Sequence, residues 1–304
     1  MKKFLLKLLI FLLLLSLLPF SFVFVCDAYN YFGQNNSTMP SDEPLPKMIA
    51  YARDPAPNII IGDSRMNAIR IEEIDKLSGE SYRQMSCGGM SVQEVTELFW
   101  YCESFGKLEK VYIGASFYNI QTNYKFNRIK KLIPTLKNPV AYVYAFNTLV
   151  ESFRYLGRKK DPDSDSTIKE AEYVKKDYNV YAKNIYDACA QKEGYSVYQD
   201  SLDRLVEIAE YCKDNNIELV FVLPPYHHTI YDKVIKELDL EEEILRYQKA
   251  LAACAEVRNM EYFDEFSKRD ENFGDGFHLS NEALTRFTKA IVEDDCDAMM
   301  KEKE

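Results

Sequence analysis

Apolar and polar positions follow two different periods along the chain, and these periods predict strands and helices in turn. Short β-branched runs indicate strands, whereas longer stretches with apolar residues at helical spacing indicate helices. The predicted strands cover 58–62, 81–87, 110–114, 217–223 and 261–264, and the predicted helices cover 65–77, 91–105, 202–215, 238–258 and 281–294. This alternation implies an α/β fold, a three-layer sandwich in which helices cover both faces of a parallel sheet.

The residues that follow the predicted strands are small or polar. Ser64, Gly88, Gly114 and Pro224 each lie at or just after the end of a predicted strand. In open parallel sheets the carboxyl ends of the strands lie at one edge, and ligands bind there. We therefore expect these four residues to gather at a single site.

Two segments depart from the alternation. Residues 28–57 are rich in Asn, Ser and Pro, which predicts a stalk with little regular structure. Residues from about 123 to 200 are rich in Tyr, Lys and Asn and indicate a helical insertion, either packed over the ligand-binding edge or peripheral to it. The α/β domain is expected to span 58–298 and to contain this insertion.

Residues 1–27 have the composition of a membrane segment. Lys2, Lys3 and Lys7 precede an uncharged stretch of 19 residues from Leu8 to Cys26, close to the roughly 20 residues that cross a bilayer. The apolar core of a signal peptide is usually shorter, about 7–15 residues, so a retained transmembrane helix is favoured over a cleaved signal. The positive-inside rule then places the α/β domain outside the cytoplasm.

Composition narrows the function classes. A net charge of −10 argues against nucleic acid as a partner, because neutralising phosphates needs a basic face. The seven cysteines show no paired metal-ligand spacing, so most are expected to be small buried side chains, with one extracellular disulfide left open. We expect no metal and no cofactor.

The candidate chemistry comes from two short motifs far apart in the chain. Gly62-Asp63-Ser64 ends the first predicted strand, and Asp275-Gly276-Phe277-His278 lies near the C-terminus. A serine hydroxyl becomes a nucleophile when a base takes its proton and a third group orients that base. Ser64, His278 and Asp275 are of the right types for these three roles, which points to acyl-ester chemistry.

With these motifs the chain resembles the SGNH (GDSL-type) hydrolase superfamily over residues 58–295, and the resemblance implies a flavodoxin-like α/β/α fold. It also implies that Ser64 is the nucleophile and that an oxyanion hole is formed by the Ser64 amide, the amide of Gly88 or Gly89, and an asparagine side chain. The family's third motif is Gly-x-Asn-Asp, and its counterpart here is Gly114-Ala115-Ser116-Phe117, so Ser116 stands where that asparagine is expected. Asn119 is an alternative donor.

Within the superfamily, the N-terminal helix, the Gly-Asp-Ser-Arg sequence and the insertion look most like extracytoplasmic partners of membrane-bound O-acyltransferases. Those relatives act in D-alanylation of lipoteichoic acid or O-acetylation of alginate and other polysaccharides. The resemblance thus implies a serine acyltransferase or esterase acting on a cell-surface glycan or teichoic-type polymer. A catalytically degenerate glycan-binding or assembly subunit of such a complex is the alternative, and the altered third motif favours it.

Three further residues are candidates for substrate binding. Arg65 adjoins the nucleophile and suits an anionic substrate or a local structural role. Tyr226 and His227 follow the strand 217–223, where they either contact substrate or belong to a rigid loop with exposed histidines. Asp63 is expected to organise its own loop through backbone amides.

Overall fold

The computed structural model describes residues 2–34, 43–158, 177–191, 194–262 and 264–294. The chain divides into two compact units. The first comprises the described residues within 1–41, 45–53 and 130–172, and the second comprises those within 42–44, 54–129 and 173–304.

A five-stranded parallel sheet forms the core of the second unit, which confirms the predicted α/β class. In chain order the strands are β1 Asn58–Ile61, β2 Tyr82–Gln84, β3 Lys110–Gly114, β4 Glu218–Leu223 and β5 Glu256–Asn259. They lie side by side in the order β2-β1-β3-β4-β5 and all pair in parallel. The strand order reverses between β1 and β3, and such a switch point opens a crevice beyond the strand ends.

Helices account for most of the remaining described chain. In chain order they are α1 Lys2–Cys26, α2 Pro44–Arg53, α3 Ser64–Asn67, α4 Ile71–Ser78, α5 Val92–Glu103, α6 Phe117–Ile120, α7 Ile129–Leu136, α8 Pro139–Tyr144, α9 Phe146–Arg158, α10 Tyr178–Cys189, α11 Gln199–Asn215, α12 His228–Ile230, α13 Glu241–Cys254 and α14 Asn281–Glu293. A π-helical turn spans Tyr231–Lys236, and a 3-10 turn spans Asp270–Asn272.

Helices pack on both faces of the sheet because successive strand residues point to opposite sides. On one face, Ile60, Tyr112 and Val220 pack with Ile74 of α4 and Phe287 of α14 in one buried cluster. On the other face, α5 contacts β1 and α11 contacts β4. Strands buried on both faces read as continuous apolar runs, which is why β1, β3 and β4 were predictable.

Three predicted elements differ from the structure, and the strand predicted over 81–87 is shortened to Tyr82–Gln84. The helix expected over 65–77 is two helices, α3 and α4, because the Gln84 side-chain amide donates to the Met66 and Ile69 carbonyls and Arg70 is extended at the start of α4. The last strand was predicted at 261–264, but β5 lies at Glu256–Asn259, where it pairs with β4. The helix predicted over 238–258 therefore ends at Cys254.

The first unit contains α1, α8, α9 and most of α2 and α7. The helix α1 is long and apolar enough to cross a membrane by length and composition, a property that a signal sequence shares. Within the predicted stalk, α2 is regular helix, and residues 35–42 lie outside the described chain. The predicted insertion is divided between the units, since α8 and α9 belong to the first and α10 to the second; residues 159–176 and 192–193 lie outside the described chain.

Candidate active site

Ser64 is presented by a tight junction between β1 and α3. Met66 of α3 packs so closely on the ends of β1 and β3 that a Cβ added at Gly62 or Gly114 would lie 2.5 or 2.4 Å from its Cγ. Asp63 caps α3, and its Oδ1 accepts a hydrogen bond from the Arg65 amide at 2.9 Å. Ser64 is therefore the first residue of the helix, half-buried at the carboxyl edge of the sheet.

The structure brings Ser64, His278 and Asp275 together in a continuous hydrogen-bonded row. Ser64 Oγ lies 2.6 Å from His278 Nε2, and His278 Nδ1 lies 2.9 Å from Asp275 Oδ2 and 3.0 Å from Oδ1. A carboxylate only accepts, so the imidazole Nδ1–H donates to Asp275 and Nε2 is left to accept from the serine hydroxyl. This is the tautomer that a general base for Ser64 requires.

Asp275 is buried and held as an ionised group by its surroundings. Its Oδ1 accepts hydrogen bonds from the Phe277 and His278 amides at 2.9 and 2.8 Å. Burial acts to raise the pKa of Asp275, but the hydrogen bonds and charge of His278 together with these amides outweigh it and hold the pKa below its ordinary value. The carboxylate thus stays charged where the imidazole needs an acceptor.

Neighbouring elements fix the loop that carries Asp275 and His278. The Gly274 amide donates to the His278 carbonyl at 2.8 Å, which closes the loop on itself. Tyr178 Oη donates to the Phe273 carbonyl at 2.8 Å. A Cβ at Gly276 would lie 2.6 Å from Cδ1 of Tyr181, so α10 packs directly on the loop. This contact places part of the predicted insertion beside the site.

Backbone amides suited to an oxyanion are found at Ser64 and at the turn after β2. Within the described chain, the amides of Ser64, Gly88 and Gly89 donate no hydrogen bond to another residue. The turn is held from its carbonyl side, since Arg128 Nη2 donates to the Gly88 carbonyl at 3.2 Å and Tyr124 Oη to the Gly89 carbonyl at 2.8 Å. Gly89 has a φ of 60°, a conformation that favours glycine.

The two alternatives for a third oxyanion donor are both engaged elsewhere. Ser116 Oγ donates to Glu261 Oε1 at 2.7 Å. Asn119 Nδ2 donates to Asp63 Oδ2 at 3.0 Å and to the Met90 carbonyl at 2.7 Å, which occupies both of its N–H groups. Either residue would have to break these bonds to stabilise an oxyanion, so that role stays a prediction.

Arg65 forms a buried ion pair with Asp63 beside the serine. Its Nε and Nη2 donate to Asp63 Oδ2 at 3.0 and 2.6 Å. Burial acts to raise the pKa of Asp63, but the charge and hydrogen bonds of Arg65 outweigh it and lower the pKa. The guanidinium lies over the Phe277 ring, 4.7 Å from its centroid, and its Nη1 has no partner within the described chain. Arg65 and His278 line the same narrow cleft.

Sequence reasoning missed Glu261, a buried carboxyl behind the third motif. It accepts from Ser116 Oγ and from the Phe117 amide at 3.1 Å. Burial raises its pKa to about 7, even though the charge of Arg65 and these hydrogen bonds act in the opposite direction. The sequence gave no signal of this role because Glu261 was assigned to a predicted strand. Placing β5 correctly at Glu256–Asn259 would have put Glu261 two residues after a strand end, where site residues are expected.

Tyr226 and His227 are buried, so neither is an exposed loop residue. Tyr226 lies in an apolar cluster with Phe117 and Ile230. His227 stacks on Tyr178 with ring centroids 4.0 Å apart, and its backbone amide donates to the Gly276 carbonyl at 3.0 Å. They support the loop that carries His278, and their predicted contact with substrate stays a prediction.

One group of side chains in the described chain has donor atoms arranged for a metal ion. His227, His228 and Asp270 each offer one atom, and these atoms lie within 4.8 Å of one another. His227 Nε2 is 3.1 Å from Asp270 Oδ1, and His228 Nδ1 is 3.3 Å from Asp232 Oδ2. The sequence showed no such set because Asp270 lies 43 residues from His227.

No protein-family model and no curated protein matches the chain. A solved structure described as "a putative platelet activating factor from Streptococcus pneumonia" is similar at 12% sequence identity and a TM-score of 0.45. That match covers 83% of this chain and 92% of the other. The function therefore rests on the geometry of the site itself.

Proposed function

We propose that this chain is a membrane-anchored, extracytoplasmic serine esterase or O-acyltransferase. The observation that carries the proposal is the row Ser64–His278–Asp275, with contacts of 2.6 Å from Ser64 Oγ to His278 Nε2 and 2.9 Å from His278 Nδ1 to Asp275 Oδ2. Such a row, placed at a strand-to-helix junction beside two sets of unengaged amides, suits nucleophilic attack on an acyl carbonyl.

The chemistry follows from these positions. Ser64 Oγ attacks the acyl carbonyl while His278 Nε2 takes its proton, and Asp275 stabilises the imidazolium that forms. The amides of Ser64 and of Gly88 or Gly89 receive the developing oxyanion. His278 then protonates the leaving alkoxide, which leaves an acyl-serine. Water completes hydrolysis, whereas a glycan hydroxyl completes transfer.

The proposed substrates are acyl esters of the O-acetyl or D-alanyl type on a cell-surface polysaccharide or teichoic acid. The resemblance of the motifs supports this class, and α1 supports a location at the membrane, where such polymers are modified. A membrane-bound O-acyltransferase is the proposed source of the acyl group in the transfer reaction. No nucleic acid is expected as a partner.

Labelling with a fluorophosphonate probe tests the nucleophile. The wild-type chain should form a covalent adduct, and Ser64→Ala should abolish it. The matched control is Ser104→Ala. Ser104 is exposed and its hydroxyl donates to the Tyr101 carbonyl at 2.7 Å, far from the proposed chemistry, so this variant should label like wild type. An unlabelled wild type, or equal labelling of Ser64→Ala, contradicts the proposal.

A non-enzymatic glycan-binding or assembly subunit is the second candidate. Both Ser116 and Asn119 are engaged in structural hydrogen bonds, which leaves the oxyanion hole without a third donor. This engagement favours the non-enzymatic candidate. Removing one such donor typically costs about 2.7–4 kcal/mol of barrier. Binding of an O-acetylated polysaccharide by a wild-type chain that neither labels nor deacetylates would support this candidate over the enzyme.

A further inference from the structure

The helix α9 exposes two large aromatic side chains and buries two small hydroxyl side chains, while Leu149 also packs inward. Phe146 and Phe153 are seven residues apart, on one side of the helix, and their side chains are 78% and 65% exposed. The small polar side chains of Thr148 and Ser152 are buried, and Ser152 Oγ bonds the Thr148 carbonyl at 2.8 Å. A helix in water buries its apolar side, whereas small polar residues facing inward are typical of helices packed in a membrane.

The preceding helix continues the same exposed apolar surface. On α8, Val140 is 59% exposed and Tyr144 is 44% exposed, and only Ala145 separates α8 from α9. The Ala145 amide donates to the Tyr142 carbonyl at 3.2 Å, and the Leu149 amide to the Ala145 carbonyl at 3.1 Å. The bend between the helices thus satisfies backbone groups internally, as any backbone in hydrocarbon must.

Both helices pack against α1 inside the first unit. Phe153 contacts Phe22 with ring centroids 4.4 Å apart, and Tyr144 Oη donates to the Ser16 carbonyl. Ser16 is ten residues before the end of α1 at Cys26, about 15 Å at 1.5 Å per residue. That distance is about half of the roughly 30 Å hydrocarbon layer. The bend between α8 and α9 is therefore the part of these two helices that lies deepest in the hydrocarbon layer, and Phe146 lies at its tip.

Charged groups stand at the opposite end of this hairpin. Lys137 lies two residues before the start of α8, and Arg154 on α9 pairs with Glu151. Arg154 is eight residues from Phe146, about 12 Å along the helix. Long basic side chains at this height reach lipid headgroups while the apolar tip stays in the acyl chains.

We infer that α8 and α9 form a helical hairpin that enters the outer leaflet beside α1, so that the chain contacts lipid at a second place. The inference rests on the retained membrane helix of the proposed function. Lipid is the occupant because the exposed apolar surface of the hairpin is continuous with that of α1, which faces acyl chains if it spans. The hairpin would hold the first unit against the membrane surface.

Depth-dependent fluorescence quenching tests the hairpin in the full chain. Trp100 is the single tryptophan, so Trp100→Phe gives a dark background. Tryptophan is then introduced by Phe146→Trp or Phe153→Trp, with Leu12→Trp on α1 as the membrane reference and Phe105→Trp, exposed in the sheet unit, as the aqueous control. Each variant is reconstituted in phosphatidylcholine vesicles with and without brominated acyl chains.

We expect brominated lipid to quench positions 12, 146 and 153 at least threefold more than position 105, and aqueous acrylamide to quench position 105 most. If position 12 is quenched while 146 and 153 behave like 105, the hairpin inference is overturned and the anchor stands. If position 12 is also unquenched, the anchor and the hairpin both fail. Quenching at 146 and 153 that grows with protein density would instead indicate contact between copies and overturn the inference. Fluorophosphonate labelling of the same vesicles reports the serine chemistry separately.

Discussion

At the scale of the residue, two buried aspartates are kept ionised by different partners. Asp275 is stabilised by an imidazole and two backbone amides, and Asp63 by a guanidinium, a backbone amide and the Asn119 side chain. In the proposed reaction, the first set includes a group that gains a proton, whereas the second set has fixed charge. We therefore expect substitutions at Asp275 to change rate and substitutions at Asp63 or Arg65 to change stability.

Asp275→Asn should lower kcat/KM for p-nitrophenyl acetate by about 10²–10⁴-fold. The amide oxygen can still accept from the Phe277 and His278 amides, so the loop is retained, but an uncharged partner no longer stabilises the imidazolium. Urea unfolding should show a midpoint close to that of wild type. A kcat/KM within threefold of wild type would show that Asp275 does not act through His278.

Arg65→Met should lower the free energy of unfolding by about 3–5 kcal/mol, because it leaves the Asp63 carboxylate buried without its counter-charge. The double variant Asp63→Asn with Arg65→Met should recover most of that loss, since no buried charge remains. Urea denaturation of the two single variants and the double variant measures the coupling. Losses that simply add in the double variant would mean that the ion pair contributes nothing of its own.

At the scale of the element, the turn after β2 is a rigid platform rather than a free loop. Glu94 on α5 is buried and binds Arg128 through Nε at 2.8 Å and Nη2 at 2.9 Å, and Arg128 in turn reaches the Gly88 carbonyl. Glu94 also takes part in the capping box with Ser91 that starts α5. One side chain thus joins the helix start to the turn that presents the candidate oxyanion amides.

Gly89→Ala should destabilise this turn, whereas Gly88→Ala should not. A Cβ at Gly89 would lie 3.1 Å from Tyr124 Oη on a backbone with φ of 60°, while a Cβ at Gly88 would meet nothing within 4 Å. We expect Gly89→Ala to cost about 1–2 kcal/mol of stability and to slow fluorophosphonate labelling at least tenfold. Gel assays of labelling at fixed times and thermal unfolding measure both variants. Equal effects of Gly89→Ala and Gly88→Ala on labelling rate and stability would contradict this prediction.

The sequence predicted the elements whose burial is uniform and missed those set by tertiary pairing. Strands β3 and β4 were located to within one residue because their residues are apolar on both faces. Strand β5 is a polar edge strand, Glu-Val-Arg-Asn, and only its pairing with β4 identifies it. Likewise, the motifs brought Ser64 and His278 to attention, but Glu261 acquires its role only through the Ser116 contact.

At the scale of the whole molecule, Glu261 ties stability to pH. Its pKa of about 7 in the fold lies above the ordinary value of 4.5, so the folded chain binds more protons than the unfolded chain between these values. The free energy of unfolding should therefore fall as pH rises from 4.5 to 7. At about 1.4 kcal/mol per pH unit, the free energy of unfolding falls by at most about 3 kcal/mol over this pH range.

Glu261→Gln should remove this dependence, because the amide oxygen still accepts from Ser116 and Phe117 but does not titrate. Urea denaturation at pH 5, 6, 7 and 8 gives the difference between variant and wild type, which should grow in favour of the variant as pH rises. The pKa of Asp275 is lowered, so this residue changes the free energy of unfolding in a separate pH range, below its ordinary pKa of 3.8. A difference that is flat from pH 5 to 8 would exclude Glu261 as the titrating group.

The distance in sequence between Ser64 and His278, 214 residues, has a consequence for the life of the chain. A ribosome makes Ser64 long before it makes the imidazole, and the two meet only once β4, β5 and the closing loop have been added. Under the proposed function, the serine is therefore without its base throughout synthesis. The proposed acyl chemistry requires the loop that carries His278 to be in place, so probe labelling would also report that a molecule has folded completely.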